Sequence, residues 1–155
     1  MSFVITGLDP APFRPLYGLD DAALAALGAM RVVADSKPGF PCRVTLEDAD
    51  IGEVLLLLNY EHLPDASPYR SRHAIFVREG AEASARFEDE VPEKLAIRLL
   101  SVRAFDAQAM MTDADVVEGN ALEPLIEKMF ADPAVAFLHV HNAKRGCFAA
   151  RVDRG

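Results

Sequence analysis

Apolar residues recur along this chain with two periods, and the periods divide it into elements. Leu122, Leu125, Ile126, Met129 and Phe130 fall at i, i+3, i+4, i+7 and i+8, which predicts a helix over about 120–131 with one buried face. Asn120-Ala-Leu-Glu123 has the form of a capping box with Asn as the cap, and Asp132-Pro133 ends the pattern. Pro124 is tolerated there because the first helical amides have no intrahelical partner. Two shorter helical pieces are expected, one over 21–27 with Asp20 as its cap and Gly28 as its stop, the other opened by Pro92-Glu93.

The remaining apolar positions predict strands. Val54-Leu-Leu-Leu-Leu58-Asn-Tyr60 shows no alternation, so it reads as a central strand covered on both faces. Shorter β-favouring runs at 3–5, 30–34, 40–46, 74–78, 99–105 and 110–117, with an edge strand somewhere in 84–87, are separated by turn residues. Asp35-Ser-Lys-Pro38-Gly39 is the strongest such turn, and Asp106-Ala-Gln-Ala109 reads as a hairpin connection. Positions 61–73 interrupt the pattern for longer than a hairpin needs, so they read as a long loop of the binding or lid kind. About eight strands joined by short connections point to an α+β fold over 1–155 as one domain: a largely antiparallel sheet, with the 120–131 helix packed across one face and two short helical pieces beside it.

Composition narrows the partners. Asp and Glu outnumber Lys and Arg by 24 to 16, and the formal charge of −8 repels phosphate backbones and anionic lipid, so neither nucleic acid nor a membrane surface is expected as partner. No run approaches the length of a membrane span, and the first residues lack a basic, apolar leader, so the expected compartment is the cytoplasm. There Cys42 and Cys147 would be thiols, and two cysteines without a CxxC are too few for an all-thiolate zinc site. Asp48, Asp50 and Gly52 lack the spacing of an EF-hand loop and read as a solvated turn.

Candidate chemistry concentrates at the C-terminal end. Val135-Ala-Phe-Leu-His139-Val-His141-Asn142 and Cys147-Phe-Ala-Ala read as two strands joined by a polar turn. His139 and His141, two apart on a strand, share a face, a spacing that lets two imidazoles reach one ion. Their competing account is a pair of buried, hydrogen-bonded core residues. The register decides what Cys147 meets. A five-residue turn places it opposite His141, where a thiol–imidazole pair could act as nucleophile and base, whereas a four-residue turn places Asn142 opposite Cys147 and His141 opposite Phe148. Cys42 beside Arg43 offers a second thiol, and its convergence with Cys147 and the histidines would form a Cys/His cluster. In the 67–73 segment, Tyr69 and Arg70 suit a carboxylate or phosphate ligand, which guanidinium forks bind bidentately.

Phe40-Pro-Cys-Arg43, Gly52-Glu with Asn59-Tyr60, Ser67-Pro-Tyr-Arg70 before Ile75-Phe-Val-Arg78, Ser101-Val-Arg-Ala-Phe-Asp106 and the closing His139-Val-His141 with Gly146-Cys147 together resemble the bacterial family known as domain of unknown function 1203. The resemblance covers nearly the whole chain, implies a stand-alone bacterial domain, and carries no activity with it. The chain departs from the family at His73-Ala74, where Gly-Pro is expected, and this sets His73 aside as a residue of any shared role.

The function expected on these grounds is a small enzyme or ligand-binding domain acting on an anionic small molecule. Cys147, His141, His139 and Cys42 supply the reactive groups, while Arg43, Asn59, Tyr69 and Arg70 hold the ligand. No cofactor is expected and no residue is assigned as a metal ligand. The alternative from another class is a non-enzymatic interaction module forming a homodimer through a sheet edge; a third is a Cys/His metal site.

Overall fold

The computed structural model describes residues 2–155 and places nine strands in two antiparallel sheets. The strands are β1 (Phe3–Thr6), β2 (Met30–Val33), β3 (Val54–Leu63), β4 (Ser71–Arg78), β5 (Arg86–Glu88), β6 (Leu99–Phe105), β7 (Met111–Glu118), β8 (Phe137–Asn142) and β9 (Phe148–Arg154). The helices are α1 (Asp21–Ala26), α2 (Glu93–Ala96) and α3 (Leu122–Phe130). One sheet has the order β5-β1-β9-β8-β6-β7, and the other is β2-β3-β4. The fold is therefore α+β as expected, with its strands divided between two sheets rather than gathered in one.

The long helix forms for the reason its periodicity implies. Leu122, Leu125, Ile126, Met129 and Phe130 are all buried and pack against Leu100, Val102, Ala104, Leu138 and Val140 of the larger sheet. Its start differs from the expected capping box. Gly119–Ala121 forms a 3-10 turn that runs straight into the helix, Leu122 N–H donates to the Gly119 carbonyl, and no side chain caps the end. Asn120 lies inside that turn. The shorter α1 starts as expected: the Asp20 carboxylate accepts from the Ala23 amide at 2.8 Å. Asp20→Ala should cost about 1 kcal/mol, seen as a fall in Tm of roughly 2–4 °C.

The smaller sheet has its own core. Leu56 and Leu58 of β3 join Ile75, Val77, Phe13 and Leu24 on one side, while Leu55 packs with Ala34 and Ala49 on the other. This two-sided burial is what the unbroken leucine run requires. Residues 40–46 do not form the expected strand. Cys42 N–H donates to Glu47 O and Leu46 N–H donates to Cys42 O, so the chain closes into a tight turn, with isolated bridges at Pro41 and Cys42 and the Arg43 and Val44 carbonyls accepting from the Leu8 and Ala85 amides. Their alternating apolar side chains are buried all the same: Cys42 and Val44 enter the core of the smaller sheet, and Leu46 enters that of the larger.

The expected long loop over 61–73 is also mostly strand. Pairing continues through Tyr60↔His73 to Leu63↔Ser71 across a bulge, so only 64–70 connects β3 to β4. None of the described helices is long and apolar enough to cross a membrane.

Candidate functional site

The register of the closing hairpin settles which side chains meet. Asn142 N–H donates to Cys147 O and Gly146 N–H donates to Asn142 O, closing a four-residue turn over 143–146. His141 faces Phe148, and a bulge follows at Val140↔Ala150. Cys147 therefore stands with Asn142, and the nucleophile–base pair of Cys147 with His141 does not form. Because side chains alternate along β8, His139 and His141 project to one face, and Asn142 projects to the other. The hairpin thus contributes to two separate sites.

The first site is a cavity of about 600 Å³ between residues 35–43, the start of β6 and the 143–146 turn. Arg43 closes its inner end with only 2% of its surface exposed. Its Nε donates to the Phe148 carbonyl at 2.8 Å, Nη1 to the Pro41 carbonyl at 2.6 Å, and Nη2 to Cys147 Sγ at 3.1 Å. None of these partners is a carboxylate. Burial pushes the guanidinium below its usual range, opposed by the neighbouring Cys147 and Cys42. Asn142 Nδ2 also donates to Cys147 Sγ at 3.4 Å, and Asn142 Oδ1 is buried without a partner. Lys144, Arg145 and Arg98 add cations to the lining, and Asp35 adds one anion. Arg98 is held by Asp48 through contacts of 2.9 and 2.6 Å.

The sequence gives Lys94 no signal beyond its place in a first helical turn, yet it is fully enclosed behind this region. Its Nζ donates to Ala149 O at 3.1 Å, and burial, reinforced by the Arg43 cation, pushes the amine well below its ordinary range.

Three of the expected ligand-holding residues lie elsewhere. Asn59 accepts from Arg72 on the exposed surface of the smaller sheet. Arg70 pairs with Glu61 at 2.8 Å, and Tyr69 packs edge-on against Phe105. Asn59 lies on β3, while Tyr69 and Arg70 lie in the 64–70 connection, where one packs on the core and the other is already paired with an acid. Cys42 is buried, with its Sγ accepting from the Thr45 and Arg78 amides at 3.4 and 3.2 Å. The two thiols thus have different partners and do not form a joint cluster with the histidines.

The second site gathers all four histidines. His62 from β3 and His73 from β4 approach the β8 face that carries His139 and His141. His62 Nε2 lies 2.7 Å from His73 Nδ1, and His62 Nδ1 lies 3.4 Å from His139 Nδ1. Phe148 stacks on His62 with ring centroids 4.9 Å apart. Donor nitrogens of His62, His73 and His141 all lie within 4.8 Å of one another.

Burial holds these imidazoles neutral. It pushes His62 down to about 4 and His141 to about 3, and it pushes His73 down as well, each with Arg103 as a further cause. His139 falls to about 2, by burial and then by its histidine neighbours. On sequence grounds His62 has no role and His73 is excluded from any shared one. Their signal is a histidine on each side of the 64–70 connection, legible only once the segment is read as a hairpin.

Residues 39–154 match the model of a family described as a protein of unknown function, DUF1203. No curated protein and no solved structure matches the chain.

Proposed function

Since the chain belongs to that family of unknown function, its activity has to be read from its own side chains, and we propose that it binds a small anionic molecule in the Arg43–Cys147 cavity. The observation that carries this reading is a buried guanidinium whose partners are two carbonyls and a thiol. A buried cation is costly unless an opposite charge offsets it, and an anionic ligand would supply that charge. Lys144 and Arg145 at the turn add positive potential in a chain whose formal charge is −8. The unpartnered Asn142 Oδ1 supplies an acceptor for a ligand that also carries a hydroxyl or amine.

Binding rather than catalysis is proposed. His141 Nδ1 is committed to the Gly146 carbonyl at 2.9 Å, and among the described residues no histidine is hydrogen-bonded to Cys147.

Alkylation of Cys147 by iodoacetamide, read by mass spectrometry, tests the reading with inorganic phosphate and small dicarboxylates as probes. One of these anions should slow the labelling in a saturable way. Replacing Lys144 and Arg145 together by alanine should weaken that protection by about thirtyfold, since each lost charged contact is worth on the order of 1 kcal/mol. Both residues lie in an exposed turn, so the fold should survive. Labelling that is indifferent to every anion, or protection unchanged in the double variant, would sink the proposal.

A further inference from the structure

We propose that His62, His73 and His141 form a binding site for a divalent transition-metal ion of the zinc class, with His139 orienting one of the ligands. The donor set is three imidazoles, which suit zinc, cobalt, nickel or copper rather than calcium or magnesium. Three protein ligands would leave a fourth position for water or another small ligand.

Two observations beyond the clustering itself support the site. The first is His141, which has no solvent exposure. Its Nδ1 lies 2.9 Å from the Gly146 carbonyl, and a carbonyl can only accept, so Nδ1 carries the proton and Nε2 holds a lone pair. That Nε2 is buried and has no hydrogen-bond partner. An imidazole oriented by a backbone carbonyl, with its other nitrogen bare, is the arrangement that metal-binding histidines adopt.

The second observation is the His62–His73 contact. At 2.7 Å the two nitrogens need one proton between them, or one cation that takes both lone pairs. Tetrahedral zinc–nitrogen bonds place donor atoms about 3.4 Å apart, so the pair would open by a fraction of an ångström, while the widest separation in the set would close. If His62 binds through Nε2, its proton sits on Nδ1 and points at His139 Nδ1, 3.4 Å away. His139 is then a positioning residue that accepts from a ligand, and it touches no metal.

The fourth ligand has a predictable sign. Arg103 on β6 has Ser101 Oγ as a partner at 3.4 Å and acts as a cation on all four rings. A doubly charged ion with three neutral ligands beside that guanidinium favours an anion, hydroxide or an oxyanion, at the remaining position. His62 and His73 are only partly buried, which leaves the outer side reachable.

The test uses the full-length chain without an affinity tag, titrated with Zn2+ by calorimetry and with Co2+ by visible absorption. One ion per chain should bind, with cobalt bands of four-coordinate intensity. His73→Gln and His62→Gln should each abolish stoichiometric binding, circular dichroism showing the fold intact. His139→Gln should keep the stoichiometry and weaken affinity by about 10–100-fold, as loss of an orienting partner does. No stoichiometric binding by the parent chain, or binding unchanged in His73→Gln, would overturn the proposal. The anion cavity uses none of these ligands, so failure of either site leaves the other standing.

Discussion

Arg43→Met should lower the unfolding free energy by about 2–4 kcal/mol, the cost of the buried acceptors it strands less the relief of its own desolvation. Three partners are affected at once: the carbonyls of Pro41 and Phe148 lose their Arg43 donors, and Cys147 Sγ keeps only Asn142 Nδ2. Each unsatisfied buried acceptor costs about 1–3 kcal/mol, and relief of the cation's own desolvation offsets part of that sum. Methionine fills much of the arginine stem's volume, so lost packing contributes little. Urea unfolding measures the effect directly. A loss under about 1 kcal/mol would mean that the guanidinium contributes nothing net to the fold and is present for its ligand alone.

Acid should destabilise the metal-free protein well above the range in which carboxylates titrate. In the unfolded chain the four histidines take up protons as pH falls through about 6.5. In the native state His62 resists until about 4, His141 until about 3 and His139 until about 2. Between those limits the unfolded state binds more protons, so stability is full above the unfolded value and is lost as pH falls toward the native ones. The groups that set this window are the four rings from β3, β4 and β8, together with Arg103 of β6 and Arg151 of β9.

His139 and His141, both buried in β8, dominate the effect. Each contributes up to about 1.4 kcal/mol per pH unit, or roughly 5 kcal/mol for the pair from pH 6 to pH 4. That is comparable with the whole stability of a domain of this size. The paired carboxylates Glu79, Glu61 and Asp50, held low by Arg31, Arg70 and Lys37, lose their contribution only at lower pH. Urea midpoints measured in chelator at pH 7, 6 and 5 should therefore fall steadily, and less steeply in His139→Phe. Midpoints that stay level down to pH 5 would contradict the neutral cluster.

Elements whose stability is local were legible along the chain. The α3 stripe, the Asp20 cap, the two-sided leucine strand and the Asp106 turn each depend on residues a few positions apart. Residues 40–46 misled because alternation signals burial and not extension. Cys42, Val44 and Leu46 reach two different cores from a turn, where Leu46 adopts a left-handed φ of 53°. Arg43, Cys147 and Asn142 were brought together by a one-residue choice of turn length that composition does not decide. The histidine cluster depended on pairing at longer range. His62 and His73 meet only because β3 and β4 extend past Tyr60, and His139 and His141 reach them from the other sheet. Grouping that depends on how two sheets pack has no period to reveal it.

The four-residue turn over 143–146 is a mechanical part held in common. The Gly146 carbonyl accepts from His141, while the next side chain, Cys147, lies in the cavity with Arg43 and Asn142. A displacement of that one peptide alters the imidazole's tether and the thiol's position together. Two ligands that each favour a different setting of the turn would compete, and two that favour the same setting would assist each other, by equal free energies in either order of addition.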